Sequence, residues 1–196
     1  LPAFDLTVIS TNNAPSISGD PGTTAEEDAP FRFAPTVGDA DSEDILTFSI
    51  ENQPEWAEFD PATGELHGTP GNADVGTTSG VLIRVSDGTE TVSLPAFDIT
   101  AVNTNDAPII SGEPGTSVDE ETLYHFIPGA EDPDSGDILI FSIENQPEWA
   151  DFDPATGELS GTPGDDHLGT TGEIVIHLSD GTETVSLTPF EITVIN

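Results

Sequence analysis

Two short acidic loops, Asp39-Ala40-Asp41 and Asp132-Pro133-Asp134, each place a pair of carboxylates one residue apart. Such a pair can grip a hard cation. Calcium takes about six to eight oxygens from carboxylates, amides and backbone carbonyls, whereas the strict octahedron of magnesium is rarely built from protein atoms alone. The segment Asn103-Thr104-Asn105-Asp106-Ala107-Pro108 adds side-chain amides, a carboxylate and its own carbonyls to that set, and two further acids, Asp87 and Asp180, each precede glycine. Every one of these features also has a plain structural use. An Asp-x-Asp pair can begin a turn, and Asp-Gly suits a tight hairpin. The residues alone leave calcium binding and turn formation both open.

The charge balance favours a cationic ligand. The chain carries 38 Asp and Glu against two basic residues, Arg32 and Arg84, for a formal net charge of -36. Such a surface repels nucleic acid and anionic membranes and attracts cations. A solvating surface suited to salty water accounts for many of these acids, but not for their gathering at particular loops. At low ionic strength their mutual repulsion opposes the compact state, and a bound divalent cation relieves it locally. With no Cys and no Met, the chain has no disulfide, thiol nucleophile or zinc–cysteine site. No run of about 18 apolar residues suggests a membrane span, and no charged-then-apolar leader pattern is present in the sequence.

The elements that must hold these loops are legible through repetition. Phe48-Ser49-Ile50-Glu51-Asn52-Gln53-Pro54 returns 93 residues later as Phe141 to Pro147, Asp87-Gly88 returns as Asp180-Gly181, and Leu1 to Asp5 matches Leu94 to Asp98. This pattern predicts a slice of a tandem array, with repeats at 11–103 and 104–196. Residues 1–10 read as the last strand of a preceding repeat or as an added N-terminal strand. From Asp44 to Gly71 only Thr47, Glu58 and His67 differ in the second copy, becoming Ile140, Asp151 and Ser160. A feature the module requires should therefore occur twice. The histidines fail that test: His67 matches Ser160, His125 matches Arg32, His167 matches Asp74 and His177 matches Arg84. Paired carboxylates about 5–10 Å apart could serve glycoside hydrolysis, but the period leaves no room for a pocket-building insertion. No enzyme is expected.

The fold class is all-β. Apolar residues alternate in Val81-Ile83-Val85 and Ile174-Ile176-Leu178, so each strand has one buried and one wet face. Strands are expected just after Ala14-Pro15, at 31–35, 45–51, 57–60 and 66–68, and at 81–86 and 92–102, about seven to a repeat. That number and turn spacing fit a sandwich. The parity changes across Pro95 and across Thr188-Pro189, which predicts a bulge or a switch of sheet edge. Asp60-Pro61-Ala62-Thr63-Gly64 reads as a turn. Trp56 and Trp149 either cap the core or offer a face on which a sugar ring could stack.

Taken together, Gly38-Asp39-Ala40-Asp41, Leu46-Thr47-Phe48-Ser49-Ile50, Phe59-Asp60-Pro61-Ala62-Thr63-Gly64-Glu65-Leu66, Val85-Ser86-Asp87-Gly88 and Asn103-Thr104-Asn105-Asp106-Ala107-Pro108 resemble, in order, the signatures of cadherin repeats. The Trp-Ala-x-Phe-Asp and Gly-Thr-Pro-Gly phrases resemble the dystroglycan-type cadherin-like repeats of large bacterial surface adhesins and secreted polysaccharide-degrading enzymes. The resemblance implies two tandem Greek-key β-sandwich (cadherin/Ig-like) domains with calcium at their junctions. By that resemblance the middle junction draws on Asn103, Asn105, Asp106, Asp132, Asp134 and Asp180, with Glu27 and Asn72 or Asp74 from the first repeat. Asp39, Asp41 and Asp87 are the counterparts in the first repeat. Asn103 stands where the family has Asp, Ala107 where it has a second Asn, and Asn72-Ala73-Asp74 only loosely matches the family's acidic triplet. Fewer ions are therefore expected than at a vertebrate cadherin junction. The implied function is a calcium-rigidified extender in a secreted or cell-surface bacterial adhesin, partnered by neighbouring repeats. The alternative is a calcium-dependent module that binds polysaccharide or its own kind.

Overall fold

A computed structural model describes Asp5 and residues 11–196; the readings made for residues 1–4 and 6–10 lie outside the described residues. The chain divides into two compact units, Leu1–Thr104 and Asn105–Asn196. Among the described residues, all regular elements are strands apart from two single turns of 3-10 helix, Asn72–Asp74 and Asp165–His167.

Unit 1 holds β1 (Ser16–Ser18), β2 (Thr24–Glu26), β3 (Phe31–Phe33), β4 (Thr36–Gly38), β5 (Thr47–Glu51), β6 (Ala57–Phe59), β7 (Leu66–Gly68), β8 (Gly76–Ser86), β9 (Thr91–Ser93) and β10 (Phe97–Val102). One sheet runs β2-β10-β8-β5 with β9 also on β8; a second runs β3-β7-β6, and β1 pairs with β4. The chain passes from one sheet to the other between β5 and β6 and returns between β7 and β8. β2 lies parallel to β10, while the other pairs are antiparallel. The alternation in β8 does what its pattern predicts. Val81, Ile83 and Val85 are fully buried, and Leu66 of β7 lies in the same interior. Leu82 and Arg84 face outward between them.

Unit 2 repeats this plan with β11 (Ile109–Ser111), β12 (Ser117–Asp119), β13 (Tyr124–Phe126), β14 (Gly129–Glu131), β15 (Ile140–Glu144), β16 (Ala150–Phe152), β17 (Leu159–Gly161), β18 (Gly169–Thr170), β19 (Val175–Ser179), β20 (Thr184–Ser186) and β21 (Thr193–Ile195). Its sheets run β12-β21-β18, β15-β19-β20 and β13-β17-β16, with β11 on β14. Its core gathers Leu159, Ile174, Ile176, Leu178 and Ile192, all fully buried. Where unit 1 has the continuous β8, unit 2 has β18, an isolated bridge between Ile174 and Phe190, and β19.

Two strand expectations are corrected, and two short strands went unforeseen. The segment 92–102 is not one strand: β9 ends at Ser93, and β10 begins at Phe97. Leu94 still donates its N–H to Ile83, but Pro95 has none to give, so the ladder breaks there. The change of parity falls in this break, between Leu94 and Phe97, and the register with β8 then shifts between Phe97 and Ile99. The strand expected at 81–86 starts earlier, at Gly76, because its first half pairs with β10 and its second half with β5 and β9. The three-residue strands β2 and β4 are too short for any period to reveal.

The turn at Asp60 forms as its residues dictate. The Asp60 carboxylate accepts Ala62 N–H at 2.8 Å and the Thr63 hydroxyl at 2.7 Å, and Gly64 N–H reaches Asp60 C=O at 2.8 Å. Those donors, Ala62 N–H first, hold the Asp60 carboxyl below its usual range. Gly64 closes the turn at a φ of 75°, a left-handed conformation that favours glycine. Trp56 and Trp149 are half-buried against the two cores. Trp56 meets Phe31 edge-on at 5.6 Å and Trp149 meets Tyr124 edge-on at 5.8 Å, the core-capping arrangement.

Tyr124 is the chain's single tyrosine and gives a clean optical probe of unit 2. It is 5% exposed, and its hydroxyl donates to Gly115 C=O at 3.0 Å. Burial pushes its pKa up to about 12, against roughly 10 in an unfolded chain. Below about pH 10 the phenol is neutral in both states. Above it the unfolded chain ionises first, so unit 2 loses stability as pH rises toward about 12. Ultraviolet titration of the folded chain should place the ionisation near 12; a midpoint near 10 would mean that the ring is solvated.

Candidate metal centre

Each Asp-x-Asp loop folds on itself by the local chemistry of aspartate. Asp39 accepts the N–H of Asp41 on Oδ1 at 2.8 Å, and Asp132 accepts that of Asp134 at 2.9 Å. The turn reading is therefore correct as far as it goes, but it uses one oxygen of each leading carboxylate. The other, Oδ2 of Asp39 and of Asp132, is buried without a hydrogen-bond partner. Buried polar atoms are normally paired, and leaving a charged group's oxygen unpaired is costly. Turn and ligand are compatible roles for these residues.

Within unit 2 the linker folds back onto these loops. Asp106 donates its N–H to Asp134 Oδ2 at 2.7 Å, and the Asn105 amide donates to Asp180 Oδ2 at 3.0 Å. Asp180 Oδ1 accepts the N–H groups of Thr182 and Glu183, both at 2.6 Å, so Asp180 closes the hairpin turn and anchors the linker together. Those contacts, the Glu183 N–H first, hold the Asp180 carboxyl below its usual range. Asp134 is 4% exposed, and its Oδ1 has no partner. Carboxylate oxygens of Asp132, Asp134 and Asp137 all lie within 4.8 Å of one another. Desolvation, then the charges of Asp132, Asp134 and Asp180, raises the Asp137 carboxyl above its usual range.

Unit 1 has the same construction. Asn13 gives its N–H to Asp41 Oδ2 at 2.7 Å, and Asn12 gives its amide to Asp87 Oδ2 at 3.0 Å. Oxygens of Asp39, Asp44 and Asp87 fall within 4.8 Å of one another. Beside them is an open hollow of about 530 Å³ lined by Asn12, Ala40, Asp41, Ser42, Glu43 and Asp44. The Asp44 carboxyl is raised, by desolvation first and then by Asp39, Asp41, Asp87 and Glu43. Asp87 is lowered by the N–H of Glu90, the Asn12 amide and the N–H of Thr89.

Glu27 belongs to unit 1 and is 2% exposed. It is turned inward by Asp28, whose φ of 56° is left-handed and whose N–H is held by Pro70 C=O at 2.9 Å. Such a conformation costs about 1 kcal/mol or more in a residue other than glycine, and Glu121 repeats it behind Glu120 at a φ of 59°. Glu27 Oε2 accepts the N–H of Thr104 at 3.0 Å, while Oε1 is buried without a partner.

The expected ligands thus separate into groups. Asp132, Asp134, Asp180, Asn105 and Asp106 gather in unit 2, and Asp39, Asp41 and Asp87 gather in unit 1. Asn72 and Asn103 are exposed. Asp74 Oδ2 accepts the N–H of Gly71 at 2.9 Å, a role that Nδ1 of His167 fills for Gly164 at 3.0 Å in the second copy, so its carboxylate closes a turn. Sequence reasoning missed Asp44 and Asp137, which open the most strictly repeated segment, and it missed Glu120, the counterpart of Glu27. The repeat filter contained the signal for all three.

The donor set is all oxygen, mostly carboxylate, with several oxygens desolvated and unpaired, and this fits a hard divalent cation. Asp132, Asp134, Asp137 and Asp180 in unit 2, and Asp39, Asp41, Asp44 and Asp87 in unit 1, are the residues that would hold one. The ion would supply the positive charge that these buried oxygens lack.

The family described as "Putative Ig domain" (He_PIG) matches the chain twice, at residues 14–102 and 107–195. No curated protein matches it. Among solved structures, human protocadherin-24 EC1-2 is 18% identical with a TM-score of 0.50, covering 94% of this chain and 100% of that one. Mouse cadherin-23 EC22-24 is 15% identical with a TM-score of 0.54, covering 94% of this chain and 67% of that one. The endo-fucoidan hydrolase MfFcnA4 from glycoside hydrolase family 107 is 22% identical with a TM-score of 0.39, covering 92% of this chain. The chain spans 28% of that hydrolase's length.

Proposed function

The chain belongs to the family described as "Putative Ig domain", one copy in each repeat, and from that premise we propose that it is a calcium-rigidified, non-catalytic extender of a secreted or cell-surface bacterial adhesin. One observation carries the reading. Asp134 and Glu27 are almost wholly buried, and each keeps a carboxylate oxygen with no partner. A protein of net charge -36 has little reason to bury unpaired anionic oxygens unless a cation meets them.

The mechanical consequence follows from adjacent residues. Thr104 is fastened to Glu27 in unit 1, and Asn105 and Asp106 are fastened to Asp180 and Asp134 in unit 2. These fastenings all end on carboxylates, so a cation held within each unit's own carboxylates fixes the adjoining segment to the body of that repeat. Without it, carboxylate repulsion loosens the segment and the connection swings. Extracellular calcium modules bind at roughly 10⁻⁴–10⁻³ M, which keeps such a joint stiff outside the cell. Neighbouring repeats of the same chain are the partners this role requires.

The test is calorimetric titration of calcium into the two-repeat chain and into Asp134→Ala. Binding should weaken about tenfold or more in the variant while both sandwiches keep their native spectra. X-ray scattering should show the parent stiffening with calcium and loosening with chelator. No calcium heat in the parent, or a scattering profile indifferent to chelator, would end the proposal.

A further inference from the structure

Both arginines of the chain lie in unit 1, and each faces a glutamate across strands. Arg32 on β3 reaches Glu65 at 2.7 Å, and Arg84 on β8 pairs with Glu51 of β5. Through that direct hydrogen bond Arg84 holds the Glu51 carboxyl below its usual range. Unit 2 keeps both acids, as Glu158 and Glu144, but sets His125 and His177 against them. His125 Nε2 lies 3.3 Å from Glu158 Oε1, and His177 Nε2 lies 3.6 Å from Glu144 Oε1. One unit has permanent cations in its cross-strand pairs. The other has side chains that become cations only on protonation.

The surroundings of His177 make the difference consequential. Its Nδ1 is 2.7 Å from Ser186 Oγ, whereas its Nε2 is buried with no hydrogen-bond partner. A neutral imidazole has one donor and one acceptor nitrogen. When Nδ1 donates to Ser186, Nε2 turns a lone pair toward the Glu144 carboxylate. A second proton converts that nitrogen into a donor and satisfies it. Of the strands beside His177, β15 contributes Ser142 opposite and the Glu144 charge, and β20 contributes the neutral Ser186. Around His125, β17 contributes Ser160 opposite, Glu158 immediately precedes that strand, and Asp151 of β16 stands one strand further on. Among the described residues of these strands, the ionisable neighbours of both rings are acids, so a proton on either ring meets opposite charge.

We propose that unit 2 is an acid-tightened copy of unit 1, in which His125 and His177 replace fixed ion pairs with pairs that form as the medium acidifies. Imidazole generally gains its proton between pH 5 and 8, above the range in which carboxylates protonate. The chain has two other histidines. His67 on β7 stands opposite both Arg32 and Glu58, so its proton meets a cation as well as an anion. His167 accepts the Gly164 N–H on Nδ1 and has Asp166 at 3.2 Å; its protonation removes an acceptor.

Each unit has one tryptophan, so the indole N–H signals of Trp56 and Trp149 report the two units separately. Thermal unfolding of the full chain would be followed by NMR in excess chelator, at pH 8 and pH 6, for the parent and for the His125→Arg, His177→Arg double variant. Arginine is the residue unit 1 already uses at both positions, so the variant should fold. In the parent, the Trp149 midpoint should rise relative to that of Trp56 by about 4 °C on acidification. In the variant that relative rise should vanish or reverse, because His167 remains. A gap unaffected by pH in the parent, or an equal rise in parent and variant, would overturn the proposal.

Discussion

Gly161→Ala should destabilise unit 2 by about 3 kcal/mol, enough to lower its melting temperature by roughly 15 °C while unit 1 melts as before. Gly161 is the last residue of β17, the central strand of its sheet, and pairs with Tyr124 on one side and Ala150 on the other. A Cβ built there falls inside the contact distance of the Trp149 carbonyl oxygen and only 2.7 Å from the Ala150 Cα. Both obstacles are backbone, so no rotamer change relieves them; β16 must move off β17 and carry Trp149 away from Tyr124. Gly68 is in the same position against Trp56 and Ala57, and Gly68→Ala should reverse which unit melts first. Calorimetry of the two single variants checks this. A drop of only a few degrees would show that the close approach is easily relieved.

The second large effect is that of calcium itself. At a hundredfold its dissociation constant, a ligand specific for the native state adds about 2.7 kcal/mol. For sites in the 10⁻⁴ M range that condition is reached near 10 mM calcium. Melting the chain in about 10 mM calcium and again in excess chelator should therefore show a rise of roughly 10 °C or more. Magnesium at equal concentration should give much less, and so should monovalent salt at matched ionic strength. If sodium reproduced the whole gain, screening of the -36 net charge would explain it and no site would be needed. Asp132→Asn separates the two further, since it changes the net charge little but removes an oxygen from the cluster.

The parts of this architecture that depend on local pattern were readable from the residues. Alternation placed Val81, Ile83 and Val85 inside because side chains in a strand change face at every step. The 93-residue repeat separated the module's requirements from its accidents. What escaped reading depended on distant partners. Glu27 is buried because Asp28 adopts a left-handed turn and finds Pro70 C=O more than 40 residues away, and nothing near Glu27 in the chain announces it. β8 extends back to Gly76 because β10 arrives to pair with it. Asp137 was marked only by its strict repetition, and it is the fold that brings it within reach of Asp132 and Asp134. Asp74 was named by motif, and the fold adds what the motif did not show: one of its oxygens accepts the neighbouring Gly71 N–H.

The central claim is that a cation completes the desolvated carboxylates beside the linker. Crystals of the chain grown in millimolar calcium measure this directly. The account predicts a peak of electron density in unit 2 with oxygen ligands at about 2.3–2.6 Å that include Asp132 and Asp134. Water alone around Asp132 and Asp134 at saturating calcium would contradict it.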